Sequence, residues 1–183
     1  MIRRRHLFTL AVLLLVGMAG CATLDEKQRA WIFQPSDRTW SGGLAAAQGM
    51  DEVWIEFEST LTGQPTRLHG LWLAAERANA PVLLYLHGAR WNVTGSATRI
   101  RRMQELGFSV LAVDYRGFGK STADLPSEEL AGEDAQAAWQ WLAKRYPSTP
   151  RYIFGHSLGG AIAVDLATKV TDETGTIVEG TFS

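Results

Sequence analysis

The sequence predicts an α/β fold built on a mostly parallel sheet, and three observations carry that reading. Two alternating stretches, Val53–Glu58 and Leu68–Leu73, flank Gly63-Gln64-Pro65 and read as an antiparallel hairpin with one wet face. Continuous apolar runs follow at Val82–Leu86 and Ser109–Val113, the pattern of strands buried on both faces of a parallel sheet. Finally, the apolar run Tyr152-Ile153-Phe154 stops at Gly155, and a small-residue segment from Gly159 continues into Ala161-Ile162-Ala163-Val164. That is a buried strand, a sharp turn and a helix. β-α units repeating behind a hairpin make an α/β architecture.

The remaining elements fall between these. A helix over about Ser96–Leu106 puts Ile100, Met103 and Leu106 at helical spacing, with Gly107 as its cap. A second, amphipathic helix runs from Glu128 to Tyr146, with Ala135, Ala138, Trp139 and Leu142 on one face and Pro147 ending it. The helix after the turn extends from Leu158 to about Val170 and precedes a short strand, Thr176–Glu179. From Ala22 to about Met50 no long periodic segment occurs, and Trp31, Phe33 and Trp40 stand among Pro35, Ser36, Gly42 and Gly43. This predicts a tether over 21–50 that packs loosely, its aromatics touching the core ahead of the other reading, in which they face substrate, and one folded domain over 51–183. No internal repeat or low-complexity tract interrupts it.

A chain of 183 residues, 46% hydrophobic and 20% charged, supports one domain with a real core. The net charge is −1, and loss of residues 1–20, which carry Arg3, Arg4 and Arg5 but no acid, leaves −4. No basic excess points to nucleic acid as a partner.

The amino terminus reads as a targeting segment over residues 1–20. Arg3-Arg4-Arg5 form a basic start and Leu7–Val16 an apolar run, followed by Gly17-Met18-Ala19-Gly20-Cys21. The run is too short to span a bilayer, for which roughly 20 residues are needed. Met18-Ala19-Gly20-Cys21 resembles a bacterial lipobox, although leucine is usual at position 18. The resemblance implies cleavage before Cys21, the sole cysteine, and a lipid on its sulfur; the other reading is a plain secretory signal with a leftover thiol. Ala22, not aspartate, follows. By resemblance to Gram-negative lipoproteins this implies a cell-envelope location on the outer membrane, facing the periplasm, with the membrane as a partner.

Gly155-His156-Ser157-Leu158-Gly159 fits G-x-S-x-G. Glycines at 155 and 159 let strand and helix approach closely, and Ser157 sits at the apex in a strained conformation, its hydroxyl at the positive start of the helix. A serine placed there is an acyl-transfer nucleophile; the plainer reading is a Gly-rich turn with an incidental serine.

With His87-Gly88 and Asp114-Tyr115-Arg116-Gly117-Phe118-Gly119-Lys120-Ser121 ahead of that turn, the chain resembles the serine hydrolases of the α/β-hydrolase superfamily from about Val53 to Ser183. The middle motif looks like the D-x-R-G-x-G-x-S loop of serine esterases, monoacylglycerol lipases and related peptidases. The resemblance implies an acyl-enzyme on Ser157 and cleavage of an ester, thioester or amide. It also implies an oxyanion hole from the N–H of Leu158 and one from the loop after Val82–Leu86, with Ala89 the candidate ahead of Arg90. His87 is then a scaffold residue bonding within its loop, and His156 projects away from the nucleophile. Asp114, Arg116 and Ser121 organise their loop, with Asp114 and Arg116 able to pair or to take part in backbone bonds. Trp91 either lines the acyl pocket or packs in the core. His69, a strand histidine without a nearby partner, reads as structural.

Other chemistries fail on spacing. A phosphate-binding loop needs a glycine five residues before Gly119, where Asp114 stands. No H-E-x-x-H motif or Cys/His cluster suggests a metal, and no cofactor is implied.

Family order places the acid and the histidine after the nucleophile. The sequence contains His6, His69, His87 and His156, none of them after Ser157, and Glu179 is the one late carboxylate near a strand end. The expectation is therefore an amino-terminal part of a larger hydrolase, with further strands and helices carrying acid and base. The rival is a lipid-anchored α/β-hydrolase-like module that binds or scaffolds without catalysis.

Overall fold

The computed structural model describes residues 22–181; the expected targeting segment over 1–20 and Cys21 lie outside the described residues. Helix α1 covers residues 22–33. Then come α2 (Ser41–Ala46), β1 (Asp51–Glu58), β2 (Pro65–Leu73), β3 (Val82–Leu86), a short 3-10 turn (Val93–Ser96) and α3 (Ala97–Glu105). β4 (Ser109–Val113), α4 (Glu128–Arg145), β5 (Arg151–His156), α5 (Leu158–Lys169) and β6 (Gly175–Glu179) complete it.

The strands form one sheet in the order β1-β2-β4-β3-β5-β6. β1 and β2 are antiparallel, as is β2 with β4, and the β4-β3-β5-β6 part is parallel. β3 is central: Leu86 pairs with Val113 on one side and Gly155 on the other, so three strands end level at one edge. All five β3 residues are buried. Their alternation explains why: Leu84 and Leu86 join Leu111, Val113 and Ile153 against Ala135, Leu142 and Leu166 of α4 and α5. Leu83 and Tyr85 join Val110, Ala112 and Phe154 against Ile100 of α3 on the other face. Apolar side chains of period two packed on both faces make the unbroken hydrophobic run of a parallel strand.

The amino-terminal segment departs from the expectation. It is two helices, not a loose tether, and of its aromatics only Phe33 enters the core, at 5% exposure, while Trp31 and Trp40 stay exposed. Leu24 and Trp31 on the outside leave α1 without the apolar stripe by which a helix is read from sequence.

Candidate active site

The turn after β5 is built from close contacts that only glycine permits. A Cβ on Gly155 would lie 2.2 Å from the Gly159 carbonyl oxygen, and one on Gly159 would lie 2.2 Å from that of Leu86. Between them Ser157 takes φ 54° and ψ −121°, a conformation costing a side chain on the order of 1–3 kcal/mol. Two backbone bonds hold it there: the Ser157 N–H donates to Glu179 (2.9 Å) and its carbonyl accepts from Gly160 (2.9 Å). Its hydroxyl does not cap α5 and makes no hydrogen bond among the described residues. Leu158 begins α5, so its N–H has no acceptor within the helix and carries the positive end of the helix dipole.

The loop after β3 lies directly on this turn: a Cβ on Gly88 would stand 3.1 Å from Ser157 Cβ. His87 Nδ1 bonds the Gly88 carbonyl at 2.7 Å, the within-loop contact expected of it. Arg90, at φ 81°, donates its N–H to the Phe33 carbonyl at 3.1 Å. The intervening N–H of Ala89 is left without an acceptor among the described residues. Of the two candidate donors in this loop, Arg90 is consumed and Ala89 is free. Trp91 is 46% exposed, so it does not pack in the core.

Asp114, buried at the end of β4, organises the neighbouring loops. Its carboxylate accepts from the Val93 N–H (2.5 Å) and contacts His69 Nδ1 (3.1 Å), with His87 Nε2 at 3.5 Å. Ser121 Oγ donates to the Asp114 carbonyl at 2.7 Å and accepts from the His69 N–H at 2.9 Å. His69 therefore has a partner after all, 45 residues along the chain, and a second carboxylate, Glu52, at 3.6 Å. Burial holds the His87 imidazole below its ordinary value, opposed by Asp114. Burial and the nearby Arg99 cation do the same to His156.

Arg116 does not pair with Asp114. Its guanidinium, fully enclosed, meets Asp134 at 2.8 Å and Glu133 at 2.5 Å, both on α4, and Ser59 at 3.0 Å. Glu133 also accepts from Ser59 Oγ and the Thr60 N–H. Burial pushes the Glu133 carboxyl up, but the bonds from Ser59, Thr60 and Arg116 outweigh it and hold the group at about 2. The residues that fix the Asp114–Ser121 loop thus come from a helix that sequence reading treated as packing. The available signal was Asp134 itself, an acid on the same helical face as Leu130, Ala131 and Ala138. Glu179 turns its carboxylate toward Arg99, at 4.0 Å, and no described histidine is hydrogen-bonded to it or to Ser157.

The arrangement is a strained serine with an uncommitted hydroxyl, beside two uncommitted backbone donors, at the carboxyl ends of parallel strands. A family described as serine aminopeptidase, S33, matches residues 77–182. Human protein ABHD12B is 40% identical over 108 residues, 58% of this chain and 29% of that protein. The lysophosphatidylserine lipase ABHD12 of Rattus norvegicus is 33% identical over 129 residues, 69% of this chain and 28% of that protein. The chain thus spans less than a third of the length of these relatives. Among solved structures, a thermostable carboxyl esterase from Bacillus coagulans aligns with TM-score 0.58 and 25% identity, over 70% of this chain and 44% of that one. The Pyrococcus furiosus esterase Pf2001 shares the fold, with TM-score 0.65 at 21% identity, over 80% of this chain and 57% of that one. The motifs, the sheet and the family match lead to one assignment: this chain belongs to the serine aminopeptidase S33 family of α/β-hydrolases.

Proposed function

We propose that the protein is a serine hydrolase that cleaves an ester through an acyl-enzyme on Ser157. The observation that carries this reading is the uncommitted Ser157 hydroxyl in a strained turn, beside the unpaired N–H groups of Leu158 and Ala89. Ser157 Oγ attacks the substrate carbonyl carbon. Negative charge then develops on the carbonyl oxygen, and the Leu158 and Ala89 N–H groups receive it, each preorganised donor being worth about 3 kcal/mol. Collapse expels the alcohol and leaves Ser157 acylated; attack by water frees the acid and the serine. The proton of the Ser157 hydroxyl passes to a general base; His69 and His87 are engaged around Asp114 and Gly88, and no described histidine is hydrogen-bonded to Ser157. Relatives named as lysophosphatidylserine lipases favour a lipid ester as substrate. Thioesters and amides are the neighbouring possibilities in the same chemistry.

We further propose that Cys21 carries lipid and holds the domain at the cell envelope, on the outer membrane facing the periplasm. Its support is the Met18-Ala19-Gly20-Cys21 segment behind a basic and apolar start. Incorporation of radiolabelled palmitate, lost in Cys21→Ser, is the expected result; equal labelling of both proteins would refute the anchor.

The second reading is a binding module, favoured by the absence of a histidine bonded to Ser157 among the described residues. Turnover of p-nitrophenyl butyrate by protein from its own membranes separates the two. Hydrolysis that falls on the order of 10³-fold or more in Ser157→Ala supports the enzyme. Turnover that survives this substitution removes Ser157 from the chemistry.

A further inference from the structure

We infer that residues 29–40 are a brace that positions the oxyanion loop, with the main-chain carbonyl of Phe33 as its point of contact. The inference rests on the acyl-transfer reading above and adds what holds the donor in place.

The brace begins at the end of α1. The last carbonyls of a helix have no partner within it. Gln34, at φ 48°, ends α1 with its N–H on the Ala30 carbonyl (3.0 Å) and turns the chain away. The Phe33 side chain is buried in the core, which fixes its carbonyl in space. That carbonyl takes the Arg90 N–H.

This one bond settles which donor of the loop stays free. The Gly88 carbonyl is tied to His87, and a trans peptide points its N–H opposite to its carbonyl, so the Ala89 N–H faces away from His87. On the other side of Ala89, the Arg90 N–H is spent on Phe33. Arg90 stays at φ 81°, which side chains rarely adopt, because both flanks are pinned.

Further contacts run from the same stretch into the loops around the turn. Asn92 Nδ2 donates to the Asp37 carbonyl (3.1 Å), and Thr39 Oγ1 donates to Asn92 Oδ1 (2.8 Å). Trp40 Nε1 donates to the Gly95 carbonyl at 3.3 Å. The Ser36 carbonyl accepts the Gly119 N–H at 3.1 Å. At its far end Arg29 latches α1 to the loop before α4, through Nε on the Pro126 carbonyl (3.0 Å) and Nη2 on the Leu125 carbonyl. A segment that only led into the domain has no need to grip both the loop after β3 and the loop after β4.

The test uses the full-length protein and two variants that leave the loop itself intact, Arg29→Ala and Thr39→Val. Amide exchange read by mass spectrometry reports the Arg90 N–H, and steady-state kinetics on p-nitrophenyl butyrate report the site. Both variants are expected to lose protection at Arg90. Their kcat should fall about tenfold, a part of the 10²–10³ that a whole oxyanion donor is worth, with KM held within about twofold. Arg29→Lys should recover part of the kcat. Arg90 exposed with kcat intact would overturn the inference, as would a fall in kcat with Arg90 still protected. Wild-type protein without turnover would sink the acyl-transfer reading and the brace's role in it together. An active wild type whose variants match it sinks the brace alone.

Discussion

Ser157 combines chemical availability with conformational cost. At φ 54° a serine is strained and a glycine is not, so Ser157→Gly should raise the unfolding free energy by about 1 kcal/mol in urea titration while abolishing turnover. A loss of stability would mean the turn is not strained. Its neighbours show the opposite sensitivity. Gly159→Ala drives a methyl to 2.2 Å from a backbone oxygen that cannot yield and should cost 3 kcal/mol or more, at or beyond the ~1–3 kcal/mol usual for overpacking. Gly175→Ala meets only the Tyr152 ring, at 3.5 Å, and should stay within ~1 kcal/mol of wild type by the same measurement. Asp134 adds a pH signature. Burial lifts its carboxyl from the ordinary 3.8 to about 7, against the Arg116 N–H and guanidinium. The folded chain then keeps a proton that the unfolded chain has lost, so this group's contribution to stability falls as pH rises from about 4 to 7. Relative to Asp134→Asn, the wild type should lose on the order of 1 kcal/mol per pH unit across that window. Parallel stability curves for the two proteins would contradict it.

At the level of elements, α4 and α5 divide two tasks that helix starts usually combine. Ser127 caps α4, its Oγ accepting from the Leu130 N–H at 3.2 Å, whereas Ser157 heads α5 without capping it. Ser127→Ala should therefore cost about 1 kcal/mol in thermal or urea unfolding. No change would show that the start of α4 is held by tertiary contacts such as Arg116 Nη2 with the Leu130 carbonyl and, one turn on, Glu133 with Ser59 and Thr60. The strands and the helices α3, α4 and α5 were legible because their side chains alternate or repeat on one face: Val82–Leu86 reads as buried on both sides and is so. α1 was not legible, since its hold on the domain is Phe33, Arg29 and a terminal carbonyl in place of an apolar stripe. The partners of His69 and Arg116 were hidden for a related reason. Asp114 and Asp134 reach them only once β2 lies beside β4 and α4 crosses the sheet, relations that no local pattern encodes.

In the molecule as a whole, the sheet supplies the geometry and the loops at the carboxyl ends of its parallel strands carry the candidate site. The Ser157 turn follows β5, the Gly88–Ala89 loop follows β3 and the Asp114 hub follows β4, three neighbouring strands in register. Ser157 and its glycines were readable from five residues and Ala89 was the expected donor ahead of Arg90, but the partner that engages the Arg90 N–H, the Phe33 carbonyl, was not readable. The account stands or falls on Ser157 as nucleophile. The direct measurement is reaction of the full-length protein with a fluorophosphonate probe, followed by mass spectrometric location of the adduct. The account predicts a single phosphonylated residue, Ser157, and no adduct in Ser157→Ala. An adduct elsewhere, or wild-type protein left unmodified, would contradict it.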